Sequence, residues 1–224
     1  MSHATTTLNV REFINARALS PNQWVLVLLC FFIVAVDGMD VAIMGFVAPS
    51  ILAEWGISRP AFGIVMGAAP IGLAVGAVLA GSSSDWWGRR RVLMGSVLGF
   101  GLCTLLTPLA HDTTQMAALR FLTGLGLGAA MPNTTTLLSE YVPERRRAFL
   151  VAAMFTGFNL GSALVGFAAA ALIPHTGWRS VLVLGGALPL LLLPVLYVYL
   201  PESARFMVAR KMSAERITAV LSRV

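Results

Sequence analysis

The chain has 224 residues, 57% of them hydrophobic and only 12% charged, with a net charge of +6. Soluble globular domains carry about 25% charged residues, so this composition excludes an ordinary soluble domain and points to repeated membrane crossing. The basic excess sits in short clusters between apolar spans and forms no continuous face, which argues against a nucleic-acid partner.

Residues 1–22 read as a polar cytoplasmic lead with a short amphipathic piece at 10–16. The first apolar run is too long for a secretory signal and lacks a clear cleavage site. Six apolar runs follow, at 23–49, 61–82, 92–110, 114–138, 148–173 and 180–200. They are continuous and not alternating, and in lipid only helices or closed barrels satisfy the backbone, so six transmembrane helices are expected. Residues 23–200 then form one all-α membrane domain, and 201–224 begin a cytoplasmic linker, with an amphipathic helix starting over 207–221.

Helix 1 carries Asp37-Gly38-Met39-Asp40 within its apolar run. A carboxylate at bilayer depth costs about 2.5–3.5 kcal/mol on insertion scales, and such residues face a protein interior or a watery path. Cys30 also lies in this helix and Cys103 in helix 3; both are expected as unpaired thiols in apolar surroundings. Helix 2 holds the spaced pairs Gly63/Gly67 and Gly72/Gly76, helix 4 Gly124/Gly128, and helix 5 Gly157/Gly161. Small residues at this spacing let helix backbones approach closely. Pro70 and Pro132 fall inside helices 2 and 4, where bends are expected.

Thirteen of the sixteen basic residues fall on one side of the predicted membrane, before helix 1, between helices 2 and 3, between helices 4 and 5, and after helix 6. By the positive-inside rule both termini are cytoplasmic. Arg59 and Arg179 lie on the opposite side. Arg120 lies inside helix 4, roughly 9 Å from the outer face at about 1.5 Å per residue. Asp37 is roughly 21 Å from the cytoplasmic face on the same arithmetic, so the two sit at similar depth in the outer half. An intramembrane cation at the depth of an intramembrane acid predicts a pair, against the simpler reading that Arg120 snorkels outward. If so, Asp37 and/or Asp40 carry a proton, and Arg120 either holds an anionic substrate or balances the aspartates. Asn159 falls near the midplane of helix 5, a further pocket candidate; Phe155 and Phe158 fit helix packing or stacking on an aromatic ring. His111 and His175 read as solvated residues of outer loops.

Three segments at the cytoplasmic edge place acids beside arginines: Gly81-Ser-Ser-Ser-Asp85-Trp-Trp-Gly88-Arg89-Arg90-Arg91, Ser139-Glu140-Tyr-Val-Pro-Glu-Arg-Arg-Arg147, and Pro201-Glu-Ser-Ala-Arg205. Ion pairs there can latch helices in one state and release them in another. No nucleophile–base set, metal cluster or phosphate loop stands out, so neither an enzyme nor a metal or cofactor is expected.

Gly81, Asp85, Gly88, Arg89 and Arg90 resemble the loop signature between helices 2 and 3 of the major facilitator superfamily, and Arg120 with Gly124 resembles its helix 4 pattern. The Asp37-Gly-x-Asp40 motif narrows the likeness. So do Arg120-Phe-Leu-Thr-Gly-Leu-Gly-Leu-Gly-Ala-Ala-Met-Pro-Asn133, Leu138-Ser-Glu-Tyr141 and Pro201-Glu-Ser-Ala-Arg205. Together they resemble the aromatic acid:proton symporter family, particularly carriers of 4-hydroxybenzoate and protocatechuate in aromatic hydrocarbon catabolism. The resemblance implies an N-terminal half of a major facilitator fold, a 3+3 inverted repeat, in a bacterial-type inner membrane. It implies that Asp37, Asp40 and Arg120 serve coupling and substrate. It also implies that Gly81, Asp85, Gly88, Arg89 and Arg90 form a gating loop, with Arg89 pairing Glu140. Trp86 stands where arginine is usual, and Ser83 and Ser84 stand where leucine and alanine are common, which implies a weaker latch or an interfacial tryptophan in its place. The implied partners are the aromatic acid, protons, the lipid bilayer and a second six-helix half. A carrier of other organic anions or sugars, and a truncated fragment without transport, remain alternatives.

Overall fold

The computed structural model describes residues 14–15 and 19–212. Among them are six long helices: α1 (Pro21–Trp55), α2 (Arg59–Trp87), α3 (Arg89–Leu106), α4 (Thr113–Tyr141), α5 (Glu144–Thr176) and α6 (Trp178–Tyr199). A 3-10 turn, Thr107–Leu109, continues α3, and a short α7, Ala204–Ala209, follows α6. The helices overrun the apolar runs because their ends continue into the interface, where caps take over. Ser20 accepts from the Gln23 backbone while the Gln23 side chain accepts from the Ser20 backbone, a reciprocal cap that starts α1 two residues before the predicted span. His175 lies in the last turn of α5 and not in a loop, since that helix runs on through Pro174. Of the linker helix expected over 207–221, residues 207–212 are described. α7 begins at Ala204 and ends at Ala209, with Arg210 as its C-cap, followed by Lys211 with φ 51°, a left-handed conformation that breaks a helix; residues 213–221 lie outside the described residues.

Five of the long helices, α1, α2, α3 with its 3-10 turn, α5 and α6, are each long and apolar enough to cross a bilayer. The sixth expected span, α4, has the length of α2 but falls short in apolarity. The physical reason is position. α4 packs against both α2 and α3, and its buried face includes Arg120, Thr123, Asn133 and Thr134 alongside Gly124, Gly126 and Gly128. A helix surrounded by protein has less lipid to satisfy. Its polar side chains are satisfied locally: Asn133, Thr134, Thr135 and Thr136 each donate to the carbonyl four residues back.

The pairings repeat. α1 packs on α5 and α6, α4 packs on α2 and α3, and α3 packs on α6. Exchanging the first three helices with the last three maps this set onto itself, as an inverted repeat requires. The close approaches repeat too. Gly161 and Gly38 bring α1 and α5 together, and Gly72, Gly76, Gly124 and Gly128 bring α2 and α4 together, each against a backbone carbonyl of the facing helix. Gly63 and Gly67, by contrast, face open space.

The end opposite the arginine clusters is fastened by Glu54 of α1. Its Oε1 pairs with Arg179 Nη2 at 2.7 Å, and its Oε2 accepts from Trp178 Nε1 at 2.8 Å and Arg179 Nη1 at 3.0 Å. The Arg179 guanidinium lies over the Trp178 ring, which meets Trp55 edge-on.

Candidate functional site

Asp40 on α1 and Arg120 on α4 form an ion pair, with Arg120 Nη1 3.1 Å from Asp40 Oδ2 and both side chains at most 2% exposed. Helix α3 completes the cluster. Thr104 Oγ1 donates to Asp40 Oδ1 at 2.5 Å and accepts from Arg120 Nη2 at 2.9 Å. Thr107, one turn on, accepts from the same nitrogen at 3.4 Å and donates back to the Cys103 carbonyl. A charge pair removed from water is favourable only when further hydrogen bonds satisfy its remaining lone pairs and protons. The two threonines supply them for Asp40 Oδ1 and Arg120 Nη2, while Arg120 Nε stays buried without a partner.

Asp37, one turn earlier on α1, is 1% exposed. Its Oδ1 is buried without a hydrogen-bond partner, and it joins no ion pair among the described residues. The bundle therefore holds two buried carboxylates of opposite character, Asp40 fixed by Arg120 and Thr104 and Asp37 without an ion-pair partner among the described residues. Between them, the backbone of Gly38 abuts Phe158 of α5, and its carbonyl accepts from Ser162 Oγ at 2.9 Å.

At the arginine-rich end a second cluster joins three segments. Arg89 Nε lies 3.4 Å from Glu140 Oε1, and Ser203 Oγ donates to Glu140 Oε2 at 2.6 Å. Glu202 accepts from the Arg90 backbone at 3.1 Å, capping the first turn of α3. Gly88, at φ 92°, makes room: a Cβ there would come 2.8 Å from Glu202 Oε2. Arg90 donates to the Tyr197 carbonyl, and Gln23 Nε2 donates to the Tyr141 carbonyl at 2.7 Å, tying α3 to α6 and α1 to α4.

A family model described as Major Facilitator Superfamily matches residues 30–222. The chain belongs to the major facilitator superfamily. It is 55% identical over 219 residues to the 4-hydroxybenzoate transporter PcaK of Pseudomonas aeruginosa, covering 98% of this chain and 49% of that protein. It is 52% identical over 217 residues to the gallate transporter of Pseudomonas putida, covering 97% of this chain and 48% of that protein. The chain thus spans about half the length of the curated relatives it matches. In three dimensions it resembles the proton:xylose symporter XylE, with a TM-score of 0.79 at 22% identity over 90% of this chain and 49% of that one; this likeness concerns the fold. The relatives matched in sequence are named as transporters and not as enzymes.

Within this facilitator half, the sequence-predicted residues fall into three groups. Asp40 and Arg120 meet, as do Arg89 and Glu140. Asp37 lies one turn from the buried pair, and Gly88 and Arg90 lie beside the Arg89 cluster. Gly81, Asp85 and Asn159 are exposed; the Gly81 carbonyl accepts from Ser84 Oγ at 2.9 Å within α2, the side chains of Asp85 and Asn159 make no polar contact among the described residues, and Asn159 directly follows Phe158 at the Gly38 contact. Sequence reasoning missed Thr104, Thr107 and Ser162. Glu202 and Ser203 lay in the Pro201–Arg205 segment expected at the latch, but without the partners the structure gives them. For the threonines no signal existed, because a threonine in an apolar helix commonly bonds its own backbone.

Proposed function

We propose that the chain supplies the first six-helix half of a proton-coupled importer of aromatic carboxylates such as 4-hydroxybenzoate, in a bacterial inner membrane. The observation that carries this reading is the 52–55% identity, over nearly the whole chain, to proteins named for 4-hydroxybenzoate and gallate transport. The geometry supports a division of labour. Arg120 is engaged by Asp40 and Thr104 and sealed from the surface, so it balances Asp40. Asp37, with no counter-ion, is the group whose proton occupancy nothing in the bundle fixes, and it carries the coupling proton. A proton on Asp37 removes a negative charge one turn from Asp40 and eases the approach of an anionic substrate. Arg89, Arg90 and Glu140, with Gly81, Asp85 and Gly88, form the gate at the arginine-rich end, and Asn159 lines the path on α5.

The test is uptake of labelled 4-hydroxybenzoate into proteoliposomes under an imposed pH gradient. The chain is assayed alone and fused to the remaining half of PcaK from Pseudomonas putida. The fusion is expected to accumulate substrate and to be inhibited by benzoate analogues but not by dicarboxylates or sugars. Asp37→Asn should reduce gradient-driven accumulation to background while substrate exchange persists. Undiminished accumulation by Asp37→Asn would overturn the assignment of the proton. In the same assay Glu140→Gln should change the exchange rate several-fold without loss of coupling. Failure of both forms to move any aromatic acid would favour a non-transporting fragment.

We further infer, from the arginine distribution, that the arginine-rich end is cytoplasmic. With Cys30→Ser and Cys103→Ser as background, Ser82→Cys should resist a membrane-impermeant maleimide in intact cells and react in inverted vesicles. The reverse pattern would invert the topology.

A further inference from the structure

At the arginine-rich end a cavity of about 950 Å³ opens between the start of α1, the start of α3, the end of α6 and the segment carrying α7. It lies far from Asp40 and Arg120 and shares none of their residues. Arg90, Arg91 and Arg210 line it, and Glu202 is its one acid. None of the three arginines joins an ion pair among the described residues. Glu202 offsets at most one of the three positive charges, and its Oε1 is taken up by the backbone nitrogens of Arg90 and Ser203. Arg210 is held in place by donating to the Trp86 carbonyl at 2.6 Å and lies over the Phe206 ring, and Arg90 lies over the Tyr197 ring. Two of the three guanidinium groups are thus oriented by the fold, while the Arg91 side chain makes no hydrogen bond among the described residues, and the described lining of the cavity carries three arginines against one acid.

A second feature fixes the depth. Trp86, Trp87, Tyr197 and Tyr199 are each more than 60% exposed around this end. Exposed tryptophan and tyrosine rings at helix ends mark the head-group level of a bilayer. The excess charge therefore sits where lipid phosphates lie, and basic pockets between helices on the cytoplasmic side suit anionic lipid head groups.

We propose that this cavity binds the head group of an anionic phospholipid, with Arg91 and Arg210 holding its phosphodiester and Tyr197 and Phe206 flanking the glycerol end. The site stands on membrane residence alone and is independent of the transported substrate. An arginine near a membrane surface contributes about 1 kcal/mol of attraction to anionic lipid, or about fivefold in affinity.

The experiment is native mass spectrometry of the chain released from detergent micelles, titrated with phosphatidylglycerol, phosphatidylcholine or inorganic phosphate. One phosphatidylglycerol is expected to remain bound. Arg91→Gln and Arg210→Gln should each weaken it about fivefold and the double variant about 25-fold. Arg145→Gln/Arg146→Gln, two exposed arginines at the same end but outside the cavity, should leave it unchanged. An equal loss in this control would show diffuse attraction to the charged end and overturn the site. Equal retention of phosphatidylcholine, or displacement by millimolar phosphate, would overturn the assignment to an anionic lipid.

Discussion

Arg120→Ala is expected to destabilise the folded bundle by about 3–5 kcal/mol, the usual consequence of stranding one member of a buried ion pair. Asp40 would keep the Thr104 hydroxyl as donor, but its charge would face a protein interior with no cation near. Asp40→Ala should cost a similar amount, since Arg120 would then retain only two threonine oxygens and its Nε already lacks a partner. Asp40→Asn/Arg120→Gln removes both charges while keeping side chains that hydrogen-bond, and should recover more than half of either loss. Thr104→Val should cost less, about 1.5–3 kcal/mol, because it removes hydrogen bonds to charged groups and leaves the charges paired. The measurement is thermal unfolding in detergent, read as loss of monodisperse protein. Equal melting of Arg120→Ala and the parent would show that the pair does not hold α1 to α4, and additive losses in the double variant would show that the two side chains do not interact.

Much of this cluster was legible in the sequence, and the part that was not has a physical cause. A charge at bilayer depth is conspicuous against an apolar background, so Asp37, Asp40 and Arg120 stood out, and helical rise placed Arg120 level with the aspartates. The rise cannot say which aspartate turns toward α4. Asp37 and Asp40 differ by under one helical turn, and the rotation of α1 is set by its contacts with α5, where Gly161 and Gly38 let the backbones touch. That rotation delivers Asp40 to Arg120 and leaves Asp37 apart. Thr104 and Thr107 stayed hidden because their role comes from a third helix. At the arginine-rich end, Arg89 and Glu140 were expected to pair from family resemblance, whereas the contribution of Ser203 and Glu202 depends on the chain turning back after α6. Helix 4 was legible as a helix but not in its surroundings. Its run looked like an ordinary span, yet its polarity fits a helix enclosed by others more than one facing lipid.

The second large effect concerns how the repeats close. A Cβ added at Gly161 would lie 1.9 Å from the Ala35 carbonyl oxygen, at Gly124 2.0 Å from that of Ala69, and at Gly128 2.1 Å from that of Leu73. These neighbours are backbone, which cannot rotate aside as a side chain can, so the helices themselves must separate. Separation strips van der Waals contact along the seam, and in lipid there is no hydrophobic drive to restore it. Gly124→Ala and Gly161→Ala are each expected to cost about 1–3 kcal/mol or more, the range for overpacking, and Gly124→Leu to leave little folded protein. Gly63→Ala and Gly67→Ala provide the contrast. They share the same spacing on α2 but meet nothing within 4 Å, and alanine is the better helix former by about 0.8–1.0 kcal/mol, so neither should lower stability in the isolated chain. The loss at Gly161 should also reach the buried pair, because the same α1–α5 contact sets the rotation that brings Asp40 to Arg120. In the melting assay, the extra cost of Arg120→Ala should therefore shrink in the Gly161→Ala background. A full and unchanged cost of Arg120→Ala there would show that the ion pair forms independently of the glycine seam.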